Sequence, residues 1–180
     1  MPQYIRSKQK GGTFFFTLIT HERRELLLLA PVLKALRESF AEIQQAQPFT
    51  LNAWVVLPDH MHCIWTLPDG DRDVSKRWGR IKAGVSRRLK SSYRFRTEGD
   101  GSSFKRGESP VWQRRFWEHK IRDELDMYAH LDYIHYNPVK HGLANSVKEW
   151  RFSSFHTYVE RRIYSRDWGG GPMVDLRAGE

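Results

Sequence analysis

Two apolar runs, Phe49–Leu57 and His60–Leu67, are separated by nothing but Pro58 and Asp59. Both carry the β-branched and aromatic residues that favour extended chain. Pro-Asp is turn chemistry, and two residues leave no room for a crossover, so the runs must return on each other as an antiparallel hairpin. The other elements have to be arranged around that hairpin. Thr13–Thr20 (TFFFTLIT), bounded by Gly11-Gly12 and a charged HERRE turn, reads as an earlier strand. Leu26–Gln45 carries Leu29, Val32, Leu33, Leu36, Phe40 and Ile43 at the spacing of an amphipathic helix. Trp78, Ile81, Val85 and Leu89 give a second helix the same kind of seam, and Trp112–Ile121 reads as a further strand. Asp123, with Asp126 three residues on, caps a helix that runs toward Asn137-Pro138, and Ser153–Glu160 adds a short one. Strands alternating with helices about one tight hairpin predict an α+β, ferredoxin-like fold, a central antiparallel β-sheet covered by α-helices. The whole chain, 1–180, is expected to be one catalytic-size domain. Within it, 91–110, rich in Gly, Ser and charge, is expected as a mobile loop, and the Gly-rich tail after about 168 as irregular chain.

Charge narrows the partner. The chain has 30 Lys and Arg against 21 acids, a net charge of +9, while 39% hydrophobic and 13% aromatic residues describe a folded globule. An excess of that size favours a polyanion, with nucleic acid ahead of a membrane surface. It is also concentrated: Lys76, Arg77, Arg80, Lys82, Arg87, Arg88, Lys90, Arg94 and Arg96 lie between Val74 and Thr97 without one acid. Candidate DNA contacts are Lys82, Arg87, Arg88, Arg114, Arg115, Lys120 and Arg122, each equally able to serve as a solvated surface charge. Phe116 and Trp117 read as core residues in preference to base-stacking platforms. No apolar run reaches the ~18 residues of a membrane span, and the basic N-terminus lacks the pattern of a signal peptide. The single cysteine, Cys63, excludes an internal disulfide and suits a reducing compartment, so the expected location is cytoplasmic, with the nucleoid.

His60 and His62 interrupt the apolar run HMHCIWTLP. On a strand, residues two apart share a face about 6–7 Å from each other, so both imidazoles point the same way and Met61 and Cys63 point into a core on the other. Two assignments satisfy this pattern: structural histidines, or an open two-histidine cation site that needs a third ligand. In LDYIHYNPVKHGL, Tyr133 and Asn137 lie four apart, one helical turn from each other on one face. They would present a hydroxyl nucleophile and a neutral oxygen ligand together. The plain alternative is a packed tyrosine before an Asn-Pro helix stop. A basic chain with an open metal site and a nearby tyrosine fits phosphodiester transfer, because a phenol, with a pKa of about 10, is a better leaving group than a sugar alkoxide.

His60-Met61-His62 resembles the His-hydrophobic-His motif of single-tyrosine HUH transposases. The stretches NAWVVLPDHMHCIWTLP and VWQRRFWEHKIRDELDMYAHLDYIHYNPVKHGL resemble the REP-associated tyrosine transposases, a branch of the IS200-like family, over nearly the whole chain. The resemblance implies the ferredoxin-like fold, His60 and His62 as metal ligands, Tyr133 as nucleophile and Asn137 as a polar contributor to the metal site. It implies Mg²⁺ or Mn²⁺ as cofactor, and as partner single-stranded DNA with a REP hairpin and a flanking tetranucleotide that the protein reads. Cleavage and rejoining would pass through a covalent 5′-phosphotyrosine. The resemblance implies a monomer, the state of this branch, with the dimer of the mobile insertion-sequence relatives as the open alternative. The 91–110 stretch is longer than the resemblance leads one to expect. Two rival functions stay open at this stage, a non-enzymatic REP-hairpin-binding regulator and a metal-dependent nuclease that uses water.

Overall fold

A computed structural model describes residues 11–92 and 111–169, with backbone alone for 90–92. The expected hairpin is present. β2 (Thr50–Val56) and β3 (His60–Leu67) pair antiparallel, and Leu57 N–H donates to the His60 carbonyl at 2.9 Å across the turn. Pro58 occupies the second turn position, where its ring fixes the φ the turn requires. β1 (Gly12–Ile19) pairs antiparallel with β3 on one side and with β4 (Trp117–Lys120) on the other. The resulting four-stranded sheet has the order β2-β3-β1-β4, all antiparallel, which is the ferredoxin-like arrangement expected. The turn is tied to the end of β1, since Thr20 donates from N–H and from Oγ1 to the Asp59 carbonyl, each at 2.9 Å.

Each face of the sheet is covered by helix, and the strand alternation sorts residues between them. Phe14, Phe16 and Leu18 of β1 and Met61, Cys63, Trp65 and Leu67 of β3 pack against α1 (Ala30–Ala46) and α2 (Val74–Ser92). Trp65 and Trp78 stack there with ring centroids 4.2 Å apart. Burying an aromatic or aliphatic side chain of this size contributes roughly 1.5–3 kcal/mol. On the opposite face Phe15, Ala53, Val55 and Ile64 pack against Leu131, Tyr133 and Ile134 of α3 (Glu124–Lys140) and Tyr158 of α4 (Phe155–Glu160). α1 and α2 approach closely at Gly84, where an added Cβ would stand 2.8 Å from Ser39 Oγ and 3.2 Å from Ser39 Cβ.

Several boundaries differ from expectation. α1 starts at Ala30, not Leu26, because Pro31 sets the first turn while Leu26 and Leu27 enter the core from irregular chain. β4 has four residues; Trp112 makes only an isolated bridge to Thr20. α3 does not stop at Asn137-Pro138. It runs through Pro138 to Lys140, so close to its end that one missing backbone donor is tolerated, and His141 N–H still donates to the Asn137 carbonyl at 3.0 Å. Ser91 and Ser92 close α2, while the rest of the expected loop, 93–110, and the tail from 170 lie outside the described residues. Among the described residues no helix is long and apolar enough to cross a membrane.

Candidate active site between β3 and α3

His60 and His62 share the α3 side of β3, both buried, with ring centroids 5.0 Å apart. Their neighbours orient them. Asp59 Oδ1 lies 2.6 Å from His60 Nδ1, and Arg23 Nη1 donates to Asp59 Oδ2 at 3.0 Å. Burial works against the Asp59 charge, but hydrogen bonding and charge from His60 and Arg23 outweigh it and hold the carboxyl below its usual range. An ionised carboxylate can only accept, so His60 Nδ1 carries a proton, and in the neutral ring Nε2 is then the lone-pair nitrogen. His62 Nδ1 lies 2.9 Å from Thr17 Oγ1 on the adjoining strand, and the tautomer that donates to this hydroxyl also keeps its lone pair at Nε2. Phe15 stacks on the His62 ring at 5.3 Å and 22°.

α3 supplies the opposite wall. The Asp123 side chain accepts from Asp126 N–H at 2.8 Å and opens the helix as the sequence predicts. Tyr133 packs its ring against His62, centroids 5.3 Å apart at 70°, and is 5% exposed. His141, at the C-cap, brings its ring within 5.1 Å of His60. Positions 133, 137 and 141 follow one helical face at steps of four. Asn137, fully buried, therefore lies between the Tyr133–His62 and His141–His60 contacts. Two imidazoles and a phenol thus meet, with Asn137 on the same helical face, residue types that could hold a cation with positions left open for a phosphate. Lys140 folds back along the same face: its Nζ donates to Tyr133 Oη at 3.1 Å and sits 4.7 Å from the Tyr133 ring centre.

The IS200-like transposase family model matches residues 10–137, a span that takes in every one of these positions except His141 and Lys140. A REP-associated tyrosine transposase of Escherichia coli K12 is 44% identical over 180 residues, all of this chain and 98% of its own length. The chain is a member of this family. A putative REP-associated tyrosine transposase of Haemophilus influenzae is 40% identical over 98% of both chains. Similar in structure is a REP-associated tyrosine transposase solved bound to a REP hairpin, with a TM-score of 0.82 and 42% identity over all of this chain and 98% of that one. The enzyme class follows from membership: a DNA transposase, a strand-cleaving and rejoining enzyme.

The transposase places its basic candidates in two groups. Arg87, Arg114 and Arg115 are exposed. Lys82 is 9% exposed, and its Nζ donates to the Gln113 carbonyl at 2.9 Å. Arg88 donates to Glu38 and Glu42 of α1 and to Ser39 Oγ. Lys120 is half-buried, with its stem against Gly12, and Arg122 donates from Nε to Asp126 Oδ2 at 3.1 Å. Arg77, from the same acid-free stretch, is 2% exposed and bonded to Asp71 and the carbonyls of Gln47 and Pro48. Phe116 and Trp117 pack against the two cores, as expected.

The sequence reading did not single out His119, Asp126 and His130, whose ligand-type atoms lie within 4.8 Å of one another. The signal was available, since Asp126 and His130 stand at i,i+4 on one helix. A shared ion is a poor account of them. The two imidazoles stack with centroids 4.6 Å apart at 13°, so their lone pairs lie in separate, nearly parallel planes that one ion cannot occupy together. Burial opposes the Asp126 charge, but bonds from His119 and from the Arg122 side chain and backbone hold its pKa far below the usual carboxylate range. The trio is a hydrogen-bonded clamp between β4 and α3.

Proposed function

We propose that this transposase cuts and rejoins single-stranded DNA beside REP hairpins, with Tyr133 as the nucleophile. The observation that carries the reading is the packing of the Tyr133 ring on His62, with Asn137 one turn further along the same buried face. The similarity to a transposase solved with a REP hairpin supports the substrate class. His60 and His62, through Nε2, and Asn137, through its amide oxygen, would hold a Mg²⁺ or Mn²⁺ ion, which when bound withdraws charge from the scissile phosphate. Asp59 favours the required tautomer at His60, and Thr17 Oγ1 can accept from Nδ1 of His62 in the same tautomer.

Tyr133 Oη attacks phosphorus in line, forming a phosphorus–oxygen bond as the bond to the sugar 3′-oxygen breaks. The protein is left joined to the 5′-phosphate of the downstream strand, with a free 3′-hydroxyl upstream. The aryl ester keeps an exchangeable linkage, because phenolate leaves more readily than a sugar alkoxide, so a 3′-hydroxyl reseals it without a nucleotide cofactor. Burial of Tyr133 between α3 and the sheet keeps bulk water from competing at the reacting centre. Arg87, Arg114 and Arg115 are assigned as phosphate contacts, acting with a tetranucleotide-reading surface in a monomeric, single-domain enzyme.

The test is a labelled hairpin oligonucleotide with its single-stranded flank, incubated with Mn²⁺ and run on a denaturing gel. A protein–DNA adduct mapped by mass spectrometry to Tyr133, absent from Tyr133→Phe, supports the assignment. A free 5′-phosphate without adduct identifies a water nuclease, hairpin binding without cleavage identifies a regulator, and continued cleavage by Tyr133→Phe removes the nucleophile assignment.

A further inference from the structure

We propose that Lys140 is a catalytic residue of strand transfer, whose ammonium holds the Tyr133 phenolic oxygen during attack and stays on that oxygen as it leaves during resealing. The inference rests on Tyr133 being the nucleophile. Its observation is the 3.1 Å bond from Lys140 Nζ to Tyr133 Oη, with the same Nζ 4.7 Å from the ring centre. A lysine in the last turn of a helix has an ordinary reason to be there, attraction to the negative end of the helix dipole. That attraction is served by a side chain directed at solvent or at the last carbonyls. Lys140 instead reaches back two turns along the face that carries Asn137 and Tyr133, which it can do only because α3 continues through Pro138.

The chemistry asks for a cation at this point. In cleavage, the phenolic oxygen forms its bond to phosphorus while the bond to the sugar 3′-oxygen breaks; the phenolic proton passes to solvent and the 3′-oxygen takes one up. In resealing the same atoms run backwards, and the phenolic oxygen departs with the electron pair. A fixed ammonium beside that oxygen aims its lone pair in the first direction and offsets its growing charge in the second. In this role Lys140 exchanges no proton with the substrate.

Single-turnover rates at saturating hairpin oligonucleotide and Mn²⁺ test this. In Lys140→Met we expect adduct formation, and resealing of the isolated adduct by a 3′-hydroxyl strand, to slow by about 10²–10³-fold, as for loss of one preorganised donor. Hairpin affinity should stay within about twofold, and Lys140→Arg should recover at least about tenfold over Met, since a charge-bearing donor returns. A substrate with sulfur in place of the bridging 3′-oxygen supplies a leaving group that needs no help, and should leave the Met defect unchanged. Thermal melts of both variants report folding, and Lys140→Gln stands in if Met does not fold. The proposal is overturned by a Met rate within about threefold of wild type, by loss of affinity in parallel with rate, by an Arg variant as slow as Met, or by rescue with the 3′-sulfur substrate. Tyr133→Phe run alongside keeps the two assignments apart. Cleavage by that variant overturns both, whereas an inactive Phe variant beside an unimpaired Met variant overturns Lys140 alone.

Discussion

Asp59 Oδ1 lies 2.6 Å from His60 Nδ1, so the residue that makes the β2–β3 turn also fixes the tautomer of the first histidine. Arg23, reaching in from the 3-10 turn after β1, holds the other carboxylate oxygen. Carboxylate partners of this kind typically strengthen metal binding ~10–100-fold. Asp59→Ala should therefore raise the Mn²⁺ concentration for half-maximal cleavage by about that factor, with hairpin affinity unchanged. A Mn²⁺ titration of adduct yield reads it. An unchanged half-point would mean that His60 binds no ion or needs no orienting partner.

Neighbouring arginines on α2 should behave oppositely. Arg87 is exposed, whereas Arg88 is tied to Glu38, Glu42 and Ser39 of α1. Arg87→Ala should reduce the slope of log affinity against log salt by about one for duplex-like hairpin DNA, and leave the melting temperature in place. Arg88→Ala should lower the melting temperature and keep the slope. Fluorescence anisotropy between 50 and 200 mM salt, beside thermal melts, separates them; matched slopes would dismiss Arg87 as a phosphate contact.

Gly84→Ala offers a test of the α1–α2 contact. Alanine gains about 1 kcal/mol of helix propensity over glycine. Its Cβ would stand 2.8 Å from Ser39 Oγ and 3.2 Å from Ser39 Cβ, and Ser39 is itself buried and bonded to Arg88. Overpacking of this kind costs about 1–3 kcal/mol, so the net should be a loss of about 1 kcal/mol in urea unfolding. A gain would show that the two helices have room to part.

His135 gives stability a pH dependence. It is fully buried, its Nε2 lies 3.0 Å from Ser154 Oγ, and burial pushes its pKa down from 6.5 to about 3. Between those values the unfolded chain binds a proton that the folded chain refuses. Stability therefore rises with pH across that window and is lost as pH falls from about 6.5 toward about 3. His135→Gln, which keeps a side-chain donor and does not titrate, should lose less of its urea midpoint than wild type between pH 7 and pH 4.5. Equal losses would place the acid sensitivity elsewhere.

Much of this architecture could be read from local chemistry. The Pro58-Asp59 turn set the hairpin, the period of two put His60 and His62 opposite Met61 and Cys63, and Asp123 announced the start of α3. What escaped was decided by partners far along the chain. Nothing around Lys82 says that its ammonium will meet the Gln113 carbonyl, and nothing around Arg88 names Glu38 or Glu42. A run of positive charge therefore looked more uniformly available to DNA than it is. The Asn137-Pro138 pair signals a helix end by local sterics, yet packing carries α3 one turn further. That extra turn brings Lys140 and His141 to the site, and no rule of spacing alone would have placed them there.

The two-sided sheet also limits how such a gene can drift in length. Along β3, alternate residues serve different compartments: His60 and His62 face α3, Met61 and Cys63 the α1–α2 core. One codon gained or lost between them would put the residues on one side of the change in the wrong compartment, an imidazole in the core or a thiol or thioether at the site. Packing and chemistry would be disturbed together. β2 displays the permitted alternative. It absorbs its irregularity between Leu51 and Ala53, at the end of the hairpin remote from the turn, where one extra residue shifts the local pairing and reaches neither histidine.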